Sequence, residues 1–226
     1  MKNISALLLR REWTRYHSFG GSWLFIWGIY LVIFLLTGQS GSFFLVFLPM
    51  IMSYGALVTA SQAGEAVLAG TEDFLLPVPL RRVIWARYQL VFLIGLASSL
   101  FCIIMLFLGR LLHPSDSFYS PVFLFGMGML TAGASAVFVG PIIFRWEFGR
   151  SRVLNTLIIS LGAAVGAGSS ALVIIASNGG GLGMLDLVPL LGAVLLWALA
   201  PVSCALAEKN YRKGGVTHEK KPIILP

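Results

Sequence analysis

Six apolar runs, each about as long as a bilayer is thick, dominate this chain. They cover roughly residues 19–36, 43–63, 83–108, 122–144, 153–176 and 185–206. A helix needs roughly 17–25 residues to cross a hydrocarbon core, where every backbone polar group must be satisfied within the segment itself. The runs therefore predict helices. Charged residues make up 11% of the 226, against roughly 25% in ordinary soluble domains. A soluble fold of this length has too little interior to hide so much apolar surface. The expected fold class is all-α, a polytopic membrane protein with six transmembrane helices. The first two runs are parted only by TGQSGS, whose glycines and polar side chains favour a turn over one long helix.

Charge placement orients the six helices. Lys2, Arg10, Arg11 and Arg15 precede the first run, and Arg81, Arg82 and Arg87 lie at the second-to-third junction. Arg145, Arg150 and Arg152 lie at the fourth-to-fifth, and Lys209, Arg212, Lys213, Lys220 and Lys221 follow the sixth. With six spans all of these fall on one side, leaving Arg110 alone on the other. Cytoplasmic loops carry the Lys/Arg excess, so both termini are expected in the cytoplasm. The formal charge of +7 has this explanation. No aromatic-interleaved basic patch points to a nucleic-acid partner.

The predicted organisation is an N-terminal cytoplasmic or interfacial segment (1–18), a transmembrane domain (19–206) and a basic cytoplasmic tail (207–226). Cytoplasmic loops are expected at 64–82 and 145–152. In the N-terminal segment Ile4, Leu7 and Leu8 share one side of a helix, while Leu9, Trp13 and Tyr16 share another. Such a helix lies at headgroup level with Trp13 and Tyr16 as anchors; a solvated tail is the alternative.

Little in the runs can do chemistry. Intramembrane charges usually mark ion or proton paths, and here Glu65, Arg87 and Arg110 fall only near run ends, where long side chains reach the interface. No paired carboxylates, no Ser/His/Asp set and no metal-ligand spacing occur, so neither catalytic nor metal-binding residues are assigned. Cys102 and Cys204 read as small buried hydrophobes. No phosphate-loop sequence is present, so nucleotide chemistry would belong to another polypeptide. Small residues recur every four positions at Gly128, Ala132, Ala136 and Gly140, and again at Gly162, Gly166 and Ser170. They suit close helix approach, either within the subunit or on a moving or dimerising face. The aromatics Phe25, Trp27, Tyr30, Phe34, Phe43, Phe44 and Phe47 suit lipid contact, or a lateral path for an amphipathic substrate.

The most distinctive polar stretch is EDFLLPVPLRRVIWARY, Glu72 to Tyr88. Thr71 can cap a short helix whose first turn holds Glu72 and Asp73, where negative charge suits the dipole. Pro77 ends it, Pro79 keeps Val78 extended, and a new helix can begin near Leu80. The product is a helix-break-helix at the membrane surface with apolar Phe74, Leu75 and Leu76 and basic Arg81 and Arg82. It serves either as a docking element for a soluble subunit or as a loop anchored to headgroups.

LLPVPLRRVIWARYQL resembles the leucine, Pro-Val-x-Arg-Arg, apolar pair, Lys/Arg-Tyr pattern of small ABC-2 type permeases of ABC exporters. PIIFRWEFGRSRVLNTLI (141–158) is similar to that family's segment between the fourth and fifth spans, and LLLRREW to its cytoplasmic start. The departures are Leu80, where the family often has a small polar residue, and an inserted Trp146-Glu147. The resemblance covers nearly the whole chain. It implies a multi-pass permease of the plasma or inner membrane, with no cofactor of its own. ATP and Mg would be held by a separate ABC ATP-binding subunit, and a second permease copy, identical or related, would complete the path. Relatives export bacitracin-like antibiotics, lantibiotics or toxin peptides. The resemblance places coupling to the ATP-binding subunit on Glu72, Asp73, Phe74, Leu75, Pro77, Pro79, Arg81 and Arg82. A second cytoplasmic contact falls on Arg145, Glu147, Gly149, Arg150 and Arg152. The alternatives are a haem-exporter-like permease of cytochrome c maturation and a non-transporting scaffold or immunity protein.

Overall fold

The computed structural model describes residues 2–19, 23–37, 42–62, 78–113, 120–143 and 186–218, and all the regular structure among them is helical. Helix α1 spans Lys2–Phe19, α2 Trp23–Thr37, α3 Ser42–Gln62 and α4 Leu80–Leu112. Helix α5 runs over Pro121–Ile143, and α6 over Val188–His218. Among the described residues three stretches are long and apolar enough to cross a membrane, Leu80–Leu112, Pro121–Ile143 and Val188–Arg212. Trp27–Leu36 and Phe47–Val58 are shorter apolar helical stretches. The expected fifth span, 153–176, lies outside the described residues, as do Gly162, Gly166 and Ser170.

Local sequence explains where these helices start. Pro79, at φ −58° and ψ 131°, holds the chain extended just before α4, and the Arg82 amide donates to its carbonyl at 2.8 Å. Ser120 caps α5 by accepting from the Phe123 amide at 3.1 Å, with Pro121 in the first position, where its missing N–H costs nothing. Helix α6 continues through residues expected to be tail. Ala205 to Lys213 is rich in helix formers, Tyr211 packs on the core, and Asn210 donates to the Pro141 carbonyl at 2.9 Å.

Helix α4 is the spine. It packs against α1, α2, α3, α5 and α6, and its 33 residues contain no proline. At 1.5 Å per residue it is about 50 Å long, beyond the roughly 30 Å of hydrocarbon. Its partners α3, α5 and α6 each carry an internal proline, Pro49, Pro141 and Pro201. A proline removes one N–H and so frees the carbonyl four residues earlier. Two of those carbonyls are taken by neighbouring helices. The Cys102 thiol of α4 donates to Leu45 O at 3.2 Å, and Ser203 Oγ of α6 donates to Val137 O at 2.7 Å. Cys102 is thus more than the small hydrophobe expected. Beside Pro141, α5 widens into a π turn over Ser135–Val139, in which the Gly140 amide reaches back to Ser135 O.

Small residues set the helix spacing. Gly128 faces Ser99 and Pro49, and a Cβ added at Gly95 would lie 2.5 Å from that of Ala132. The stripe Gly128–Gly140 is therefore spent inside the subunit and offers no dimerising face. Gly95→Ala is expected to cost about 1–3 kcal/mol through overpacking. The readout is a lower Tm in detergent; an unchanged Tm would show that α4 and α5 can separate freely.

The aromatics of the first two spans divide. Phe34 is fully buried and so does not contact lipid, while Trp27 is partly buried and packs on Phe101 at 4.7 Å between ring centroids. Phe25 is exposed. The outer faces of α4 (Leu100, Ile104, Phe107, Leu111) and α6 (Leu191, Leu195, Val202, Leu206) are apolar and exposed. That is the surface hydrocarbon would wet, and a monomer in water does not keep so large a patch.

Candidate coupling site

At one end of the bundle the start of α4, the C-terminal turn of α5, the later turns of α6 and the length of α1 come together. Helix α1 is not a solvated tail. Leu8 is buried against Val83 and Ala86, with Ile4 and Val78 packed beside them. Tyr16 is buried in the main core, where desolvation raises its phenol pKa above the ordinary range, while Trp13 stays half exposed. Of the two expected anchors, only Trp13 faces outward.

The contact between α1 and α4 contains an ion pair that sequence reasoning missed. Arg87 Nε lies 3.3 Å from Glu12 Oε2, with side-chain exposures of 3% and 0%. Arg15 reaches the other carboxylate oxygen at 3.4 Å from the next turn of α1. Arg87 therefore does not reach the interface as expected; it is buried on its partner. A signal was present. Glu12 is the only acidic residue among the first 64, set among four cations, and Arg87 stands seven residues into α4. A cation inside an apolar run needs a carboxylate.

Next to Arg87, Tyr88 begins a second link. Ser203 has one hydroxyl proton, committed to Val137 O, so at the 2.8 Å contact Tyr88 donates to Ser203 Oγ. Tyr88 is also the residue that a Cβ on Gly140 would strike, at 2.6 Å from its hydroxyl. One side chain of α4 thus fixes both the π turn of α5 and the adjoining turn of α6.

Of the residues assigned to coupling, Pro79, Arg81 and Arg82 are described, and all three are exposed. Among the described residues neither arginine side chain has an ion-pair partner. Glu72, Asp73, Phe74, Leu75 and Pro77 lie outside the described residues, as do Arg145, Glu147, Gly149, Arg150 and Arg152. The chain leaves this end toward the first set just before Val78 and toward the second just after Ile143. Tyr88 of α4, Gly140 of α5 and the later turns of α6 are in contact between the two exits. Among the described residues no group of three His, Cys, Asp or Glu side chains could hold a metal ion.

Among known families, the model described as "ABC-2 family transporter protein" matches residues 17–212. No curated protein and no solved structure matches.

Proposed function

The chain belongs to the ABC-2 transporter family and is a membrane permease component of an ABC transporter, and from that premise we propose that it exports an amphipathic peptide or antibiotic-like substrate. In this reading a separate ATP-binding subunit docks on residues 72–82, with 145–152 as a second contact. ATP and Mg are held by that subunit, and this chain carries no cofactor. A second permease copy, identical or related, completes the path through the plasma or inner membrane, and both termini are cytoplasmic.

The observation that supports this best is the junction of the two loop exits. Arg81 and Arg82 open a long, proline-free helix whose first turns are clamped by α1 through Glu12–Arg87 and joined to α5 and α6 through Tyr88. A push on 72–82 would enter a rigid assembly. Energy coupling needs an element with two positions that the partner biases, and the clamped start of α4 is that element here.

Extraction in mild detergent, followed by mass spectrometry of what co-purifies, tests the proposal. An ATP-binding subunit is expected to accompany the permease, and the reconstituted pair is expected to expel peptide from cells or load inverted vesicles only with ATP. Solute movement by the permease alone would refute it.

A further inference from the structure

A cleft of about 500 Å³ opens between α1, α4 and α6 at the basic end, lined by Leu9, Trp85, Tyr88, Gln89, Phe92, Leu93, Trp197 and Ala200. Its volume lies within the roughly 300–1,000 Å³ of small-molecule sites. The walls present ring faces with few donors. The Tyr88 hydroxyl is spent on Ser203, and the Trp197 N–H is spent on Met129 O at 3.2 Å. Phe92 meets Trp197 edge-on at 4.9 Å, which shapes the floor. Trp85, Phe92 and Leu93 are each more than a third exposed, so the cleft is open to the surrounding lipid.

Above it stand cations. On a helix, Arg81 and Arg82 fall on the stripe that continues through Trp85, Gln89 and Phe92. Both are exposed, and Arg10, next to Leu9 on the α1 wall, is exposed too. Each of the three lacks an ion-pair partner among the described residues. A groove of aromatic and aliphatic walls headed by guanidinium groups is complementary to a molecule with an apolar chain and an anionic head.

We infer that this cleft is a binding site for an anionic phospholipid of the adjacent leaflet, one acyl chain lying along Trp85, Phe92 and Trp197 and the phosphate meeting Arg81 and Arg82. Juxtamembrane arginines attract anionic lipid, and two of them are worth about a 30-fold preference over a zwitterionic lipid. The inference requires only that the chain spans a membrane. It is tested on the permease alone, so its failure leaves the coupling proposal standing, and the reverse also holds.

The test is native mass spectrometry of the purified permease titrated with palmitoyl-oleoyl phosphatidylglycerol or with phosphatidylcholine of the same chains. The unsubstituted protein is expected to prefer phosphatidylglycerol. Arg81→Gln with Arg82→Gln is expected to weaken phosphatidylglycerol about 30-fold and leave phosphatidylcholine unchanged. Leu93→Trp, which adds bulk at the exposed mouth, is expected to weaken both lipids alike. Equal affinities for the two lipids in the unsubstituted protein would overturn the inference without recourse to any variant. So would full phosphatidylglycerol affinity in either variant, or competition by deacylated glycerophosphoglycerol as strong as by the intact lipid.

Discussion

Glu12→Ala should lower the stability of the purified permease by about 3–5 kcal/mol, the cost of breaking a buried ion pair by removing one of its members. The Arg87 guanidinium is 3% exposed and its carboxylate fully buried, so water cannot replace the lost oxygen. Arg15 loses the same carboxylate, though from a position nearer the surface. Replacing both members by apolar residues of similar size, Glu12→Leu with Arg87→Met, should recover most of the loss, because a buried pair often contributes little over hydrophobic packing. Chemical or thermal denaturation of Glu12→Leu, Arg87→Met and their combination reads the coupling as a double-mutant cycle. A cycle that closes with no interaction energy would mean the two side chains do not depend on each other. Glu12→Ala should also loosen α1 from Val83 and Ala86, seen as faster amide exchange over residues 4–17.

Arg81→Glu with Arg82→Glu should abolish ATP-driven transport while leaving the Tm of the permease near its original value. Both side chains are exposed and lack ion-pair partners among the described residues, and surface substitutions away from packed features change stability by about 0.5 kcal/mol or less. Against a partner's docking groove, reversing two charges brings like charges together, at a cost of several kcal/mol. ATP hydrolysis by the co-expressed subunit should lose its response to substrate, and less of that subunit should co-purify. Normal transport in this variant would remove the start of α4 from the coupling path.

The helical architecture was legible because hydropathy and charge place independent constraints on the same spans. The third run, expected over 83–108, is observed as Leu80–Leu112, and the helix begins after Pro79 as the proline spacing predicts. The fourth, expected over 122–144, is observed as Pro121–Ile143. What was not read are contacts between distant residues, for which the sequence offers at most a hint that a partner is needed and not which residue it is. Glu12 and Arg87 are 75 residues apart, and Tyr88 and Ser203 are 115 apart; no local pattern links them. The aromatics of the first span show the same limit. Hydropathy treats Phe25 and Phe34 alike, yet one is exposed and the other fully buried, because only the packing of neighbours decides which face turns inward. The extension of α6 escaped for a related reason. Its polar residues suggested a tail, whereas Asn210 and Tyr211 bind it to α5 and the core.

The prolines of α3 and α5 change how this bundle can deform. A kink whose loose oxygen is left to water can flex at will, but here Leu45 and Val137 are held by donors on other helices, Cys102 and Ser203. Straightening α3 would strip the sulfur of its acceptor, and unwinding the π turn would free the hydroxyl that Tyr88 leans on. An excursion of the proline-free α4 would therefore act on both proline sites at once, on α3 through Cys102 and on α5 through Tyr88 and Ser203.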